Sequence, residues 1–162
     1  MLRPRLLVSL AAFAAIAAIL PACDSGDGGD ADNLSKGEFA SKGNSLCKKA
    51  DAERVQVLQQ LSSTPSGAAD AQKLQRIVTI DRELVRRVDD LVPPQGEEDR
   101  VDRVLDAWRR RANVEHQYAD AVAAMQAPQT LAVFTETLAQ VDVTADLSAT
   151  QLGMTQCTRG AS

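Results

Sequence analysis

The stretch Leu74-Gln75-Arg76-Ile77-Val78-Thr79-Ile80-Asp81-Arg82-Glu83-Leu84-Val85-Arg86-Arg87-Val88-Asp89-Asp90-Leu91-Val92-Pro93-Pro94 decides the fold of this chain. Leu74, Ile77, Val78, Leu84, Val85, Val88, Leu91 and Val92 recur at three- and four-residue steps, which gathers them on one side of an α-helix. The acids and bases from Asp81 to Arg87 are expected on the other side, facing water. The helix is expected to stop before Pro93, because a proline pushes the residue ahead of it out of the helical region. Gly96 then completes a turn, and Glu97-Glu98-Asp99 place negative charge where the start of a following helix favours it.

The same periodicity continues on both sides. Upstream, Ser35-Lys36-Gly37-Glu38 is a capping box, and Leu34 and Phe39 fall at the two positions of a hydrophobic staple, so two start signals coincide. From there Phe39, Gly43, Leu46, Ala50, Val57 and Leu61 form the stripe of a first helix, ended by Ser62-Ser63-Thr64-Pro65-Ser66-Gly67. Downstream, a third segment carries Val101, Val104, Leu105, Trp108, Ala112, Tyr118, Ala119, Val122 and Met125, and closes at Ala127-Pro128. A fourth begins near Pro128 or Thr130 with Leu131, Phe134, Leu138 and Val141. Asp142-Val143-Thr144 lowers helix propensity, so a bend or break is expected there before a short helical piece through Leu152. Gly153 suits the left-handed cap of that piece.

Four amphipathic segments with short connections, and none with convincing strand alternation, predict an all-α, up-down-up-down four-helix bundle with a bent C-terminal segment. A three-helix arrangement with a looser C-terminal arm is the alternative. Residues 34–162 form its single domain. Aromatics are only 3% of residues, so the core must be built from Leu, Val, Ile and many Ala.

Ahead of the domain the composition changes. Arg3 and Arg5 precede Leu6 to Leu20, which are almost entirely Leu, Ala, Ile, Val and Phe. At 1.5 Å per residue this run covers roughly 22 Å, short of the ~30 Å hydrocarbon core, and so reads as a signal peptide rather than a spanning helix. Leu20-Pro21-Ala22-Cys23 resembles the lipobox of bacterial lipoproteins at Leu20, Ala22 and Cys23; Pro21 departs from the commonest choice. The resemblance implies cleavage after Ala22 and acylation of Cys23, whose two or three chains would anchor the protein stably where one would not. Residues 1–22 are therefore expected to be removed, and residues 23–33 to be a lipid-anchored flexible tether. Asp24 to Asn33 reads DSGDGGDADN, with nothing to bury against the entropy of ordering.

Cleavage removes Arg3 and Arg5 and no acid, so the formal charge moves from −4 to −6. That balance argues against a nucleic-acid partner and against a polybasic grip on anionic lipid, and leaves the acyl chains as the membrane contact. It also settles the thiol count. With Cys23 acylated, Cys47 and Cys157 remain, and outside the reducing cytosol an even remainder reads as a disulfide. In an up-down bundle the start of the first helix and the end of the fourth lie at one end. A straight fourth helix would carry Cys157 past the level of Cys47, so the C-terminal segment must turn back.

The entry Leu34-Ser35-Lys36-Gly37-Glu38-Phe39, the early Cys47 and the closing Leu152-Gly153-Met154-Thr155-Gln156-Cys157 are similar to a group of small actinobacterial lipoproteins of uncharacterised function. The resemblance is clearest at the ends of the domain. Its motifs are structural, a capped helix and a disulfide, so it implies fold and location without an activity.

Residues able to do chemistry are few. His116 is the lone histidine, with Glu115 beside it and Asp120 one turn on, but there is no Glu-x-x-His, His-x-x-x-His or Cys-x-x-Cys to build a metal site around it. No Cys-x-x-Cys-His offers haem attachment, and no Gly-x-Ser-x-Gly presents a nucleophile. Arg109-Arg110-Arg111 is read as a solvated helix face, with an anion or acidic partner as the functional alternative; Trp108 and Tyr118 are read as core. No catalytic residue, metal or cofactor is expected. The expected function is that of a membrane-anchored, extracytoplasmic, non-catalytic envelope module that binds another envelope protein. The alternative is a binder of a small apolar ligand or lipid within the bundle.

Overall fold

The computed structural model describes residues 33–159. The expected signal peptide, the expected acylation site Cys23 and all of the expected tether but Asn33 lie outside the described residues. The described chain folds into α1 (Lys36–Leu58), α2 (Gly67–Asp89), α3 (Glu98–Ala123) and α4 (Pro128–Gln151), followed by a 3-10 turn at Thr155–Cys157. Among the described residues there is no strand. Each helix packs on the next in chain order, and the protein is an all-α helical bundle.

The start of α1 is built as its sequence dictates. Ser35 Oγ accepts from the Glu38 amide at 3.3 Å and the Glu38 carboxylate accepts from the Ser35 amide at 3.0 Å, so the capping box is complete. Phe39 is fully buried and Leu34 packs against the same cluster, which makes the staple. The α1–α2 connection is organised by Asp70, which is buried and accepts from the Ser66 amide at 3.1 Å and from Lys73 Nζ at 3.0 Å. The Lys73 ammonium, then the Ser66 amide, hold its carboxyl down at about 2. Lys36 Nζ reaches Glu97 Oε1 at 3.0 Å and ties the start of α1 to the turn before α3.

The end of α4 differs from expectation. The helix runs unbroken through Asp142-Val143-Thr144 to Gln151. Packing outweighs the weak local propensity: Asp142 is ion-paired to Arg111 of α3, and Ala145 and Ala149 of the next turns are buried. The reversal falls wholly at Gly153, whose φ of +77° suits a residue without Cβ. Met154 donates its amide to Ala149 O at 2.9 Å and Gly153 to Thr150 O at 2.9 Å, the paired bonds of a Schellman cap. Met154 and Ala149, which are fully buried, supply its apolar contact.

Beyond that cap the 3-10 turn packs against α1, which does not pack directly on α4. Cys47 and Cys157 face each other there at disulfide distance, Cα to Cα 5.1 Å. The turned-back C-terminal segment thus closes the bundle where two helices fail to meet.

The apolar interior falls into two clusters. One takes Phe39, Cys47 and Ala50 of α1, Leu84, Val85 and Val88 of α2, the Val101 to Trp108 face of α3, and Ala145, Ala149, Leu152 and Met154. The other takes Val57, Ala71, Leu74, Ile77, Ala119 and Val122. Trp108 is core, as expected; Tyr118 is half-buried beside Phe134. Three apolar assignments do not hold. Val92 is 43% exposed, because α2 ends at Asp89, three residues short of it. Met125 is 75% exposed, because it lies past the last turn of α3. Leu131, Phe134, Leu138 and Val141 of α4 are only half-buried, its deep positions being alanines that allow close approach to α3.

Candidate functional site

Between the two apolar clusters lies a layer of charge. On α1, Arg54 sits four residues after Ala50 and three before Val57; on α2, Asp81 sits four after Ile77 and three before Leu84. On α3, Arg111 and Glu115 follow Trp108 and precede Ala119 at the same steps. Each therefore occupies the core-facing stripe of its helix. Asp142 joins from α4, and Arg159 enters from the chain just past Cys157.

Arg159 Nη2 donates to Asp81 Oδ1 at 2.8 Å, and Arg54 Nε lies 3.6 Å from the same oxygen. Arg111 Nε donates to Glu115 Oε1 at 2.9 Å while its Nη1 bonds Asp142. Arg159 Nη1 approaches Glu115 Oε1 at 3.5 Å, and its backbone amide donates to Asp146 Oδ1 at 3.0 Å. Asp81, Arg111 and Glu115 are all buried.

Burial raises the cost of charge at Asp81, but the neighbouring Glu115 carboxyl and the Arg159 and Arg54 charges outweigh it and hold its carboxyl below the ordinary range. Burial pushes Glu115 up to about 7, with the Asp81 carboxyl pushing the same way. Burial, and then the neighbouring Arg159 charge, lower Arg54.

Desolvation offsets most of the attraction in such a layer, so its net contribution to stability is small. Sliding any helix by one turn would strand a charge in apolar surroundings, and removing one partner costs about 3–5 kcal/mol for the same reason.

This placement corrects two expectations. The sequence pattern puts Asp81 with Glu83 and Arg87 on the solvent side of α2, yet it points inward; Glu83, Arg86 and Arg87 do pair on the outside. Of Arg109-Arg110-Arg111, Arg109 is exposed and paired with Asp89 and Asp106, Arg110 is exposed, and Arg111 is interior. The signal was available in the spacing, since a charge at a stripe position on three successive helices points to charges that meet.

His116 Nδ1 meets Gln75 Oε1 at 2.9 Å at the surface, Asp120 lies 3.7 Å from Nε2, and Glu115 faces the interior instead. Among the described residues no group of three acidic, histidine or cysteine side chains is placed to hold a metal ion. No described helix is long and apolar enough to cross a membrane. The hollows between helices open to solvent: one of about 360 Å³ between α3 and α4 is lined by Arg103, Ala107, Arg110, Gln140 and Val141, and one of about 260 Å³ lies between α1 and α2.

On its outer face α4 leaves Val133, Val143 and Leu147 at 60%, 71% and 61% exposure. The helix carries Glu136, Asp142 and Asp146 and no basic residue. Comparison with protein-family models, curated proteins and solved structures finds no match to this chain.

Proposed function

We propose that this chain is a lipoprotein held by acyl chains on Cys23 at the extracytoplasmic face of the cell membrane, where its helical domain is a non-catalytic module that binds another envelope protein. The observation that carries the reading is the outer face of α4, where Val133, Val143 and Leu147 are exposed with the acid Glu136, on a helix that has no basic residue. An apolar surface bordered by Lys or Arg would complement it. The interior charges add support of another kind. They are bound to one another in a buried layer rather than gathered at a hollow, as a general acid, base or nucleophile would need to be.

The test has two arms. Cys23→Ala is expected to move the protein out of the membrane fraction; its retention there would overturn the anchor. Photo-crosslinkers placed at Val133 and Leu147 in native membranes are expected to give one discrete adduct that Val143→Asp abolishes while the helical circular dichroism is unchanged. Absence of that adduct, or its survival in Val143→Asp, would overturn the docking role of α4.

A further inference from the structure

Two carboxyl groups at the centre of the charged layer each have one oxygen left over. Asp81 and Glu115 are only 3% and 8% exposed. Their Oδ1 and Oε1 atoms take the hydrogen bonds from Arg159 and Arg111, whereas Asp81 Oδ2 and Glu115 Oε2 are buried and accept none. Arg111 Nε stands 3.9 Å from Asp81 Oδ2, too far to satisfy it. The two carboxyls meet the same two guanidinium groups: Arg111 Nε is 2.9 Å from Glu115 Oε1, and Arg159 reaches Asp81 Oδ1 at 2.8 Å and Glu115 Oε1 at 3.5 Å. Two buried oxygens without donors, on carboxyls that face the same guanidinium groups, cost the full desolvation of both if both groups are ionised. One proton between them satisfies both.

We infer that Asp81 and Glu115 form a buried proton-binding site, in which Glu115 carries the proton on Oε2 and donates it to Asp81 Oδ2. The charges around the pair fit this assignment. Arg54 faces it from α1, Arg111 from α3, Asp142 from α4 through Arg111, and Arg159 from the C-terminal segment with Asp146 on its amide. With Glu115 neutral, the three arginines already face four carboxylates, Asp81, Asp142, Asp146 and, at the edge of the layer 3.1 Å from Arg54 Nη1, Asp51. Loss of the proton leaves an uncompensated negative charge inside the bundle.

The pH dependence follows in sign. Glu115 holds its proton more tightly folded than unfolded, since its carboxyl is raised from 4.5 to about 7. The stability it confers is complete below pH 4.5 and is lost as pH rises through about 7. The site grips the C-terminal segment through Arg159, so that segment is tightened by acid and loosened toward alkaline pH.

Carbon-13 NMR of the glutamate side-chain carboxyls of the full chain in detergent tests the site directly. A Glu115 midpoint near 7 is expected, and a midpoint at the ordinary glutamate value would overturn the proposal. Denaturant unfolding from pH 5 to pH 8 tests the linkage. The parent chain is expected to lose up to about tenfold in its folding equilibrium constant per pH unit, the limit for one proton. Glu115→Gln keeps a donor to Asp81 and cannot titrate, so this component is expected to vanish; a variant with the parent's pH slope would overturn the proposal. Any other titrating group is common to both chains and cancels in the comparison.

Discussion

Met154 Sδ occupies the space beside Gly43: a Cβ built on Gly43 would stand 2.4 Å from that sulfur and 3.1 Å from Met154 Cγ. Gly43 is therefore the point at which α1 lets the returning C-terminal segment lie against it. Met154 is fully buried and anchors the Schellman cap of α4, so it has little room to give. Two effects oppose each other in Gly43→Ala. Helix propensity favours alanine by about 0.5–1 kcal/mol, whereas overpacking costs about 1–3 kcal/mol. The clash is expected to win, with a net loss of about 1–2 kcal/mol in urea unfolding; a gain in stability would show that Met154 moves aside freely.

The covalent closure beside it is expected to matter more. The Cys47–Cys157 bond closes a loop of 110 residues, for which the chain-entropy model gives about 4–5 kcal/mol as an upper figure. Because α1 does not pack directly on α4, the bond and the 3-10 turn hold together a side of the bundle that helix packing leaves open. Unfolding with and without reductant measures the effect, and a difference below about 1 kcal/mol would mean that packing alone holds the segment. Alkylation of the unreduced protein is expected to label neither Cys47 nor Cys157.

Legibility in the sequence followed the kind of interaction. Helix starts were readable because a capping box and a proline act within one turn: α1 begins at Lys36 behind Ser35, and α4 begins at Pro128. The Cys47–Cys157 pairing was readable because an up-down topology brings the first helix and the end of the chain to one end of the bundle. The continuity of α4 through Val143 was not, since it depends on Arg111 and on the burial of Ala145, contacts that no local propensity contains. The charged layer escaped for a different reason. Periodicity sorts residues by apolarity, so Asp81 was placed outside although its position relative to Ile77 and Leu84 places it inside. Arg159 has no helical period at all and joins the layer only through the reversal at Gly153.

A second left-handed position shows strain that Gly153 avoids. Met125 has φ +50° and closes α3 with the bonds of a Schellman cap, Met125 N to Val122 O and Gln126 N to Ala121 O, each at 3.0 Å. A residue with Cβ pays roughly 1 kcal/mol or more for this conformation, and the exposed Met125 side chain recovers little by packing. Met125→Gly is expected to raise stability by about 0.5–1 kcal/mol, the larger flexibility of glycine in the unfolded chain offsetting part of the gain. Thermal unfolding checks it, and a lower midpoint would mean that the Met125 side chain makes contacts that offset the strain.

Asp70 governs the acid limb of stability around the α1–α2 connection. Its carboxylate accepts from Lys73 and from the Ser66 amide, and Lys73 also donates to Gln60 O at 2.6 Å, so one ion pair secures both ends of the turn. The folded chain holds this carboxyl at about 2 against an ordinary 3.8, which means that the unfolded chain binds the proton more readily. Stability from this group is present in full above pH 3.8 and is lost as pH falls through about 2. Asp70→Asn keeps the side-chain oxygen but has no charge to lose. It is expected to be less stable than the parent at pH 7, with the gap closing as the pH is lowered from 4 toward 2. Denaturant unfolding at a series of acid pH values measures that gap, and a gap that stays constant across the range would show that Asp70 acts through shape and hydrogen bonding alone.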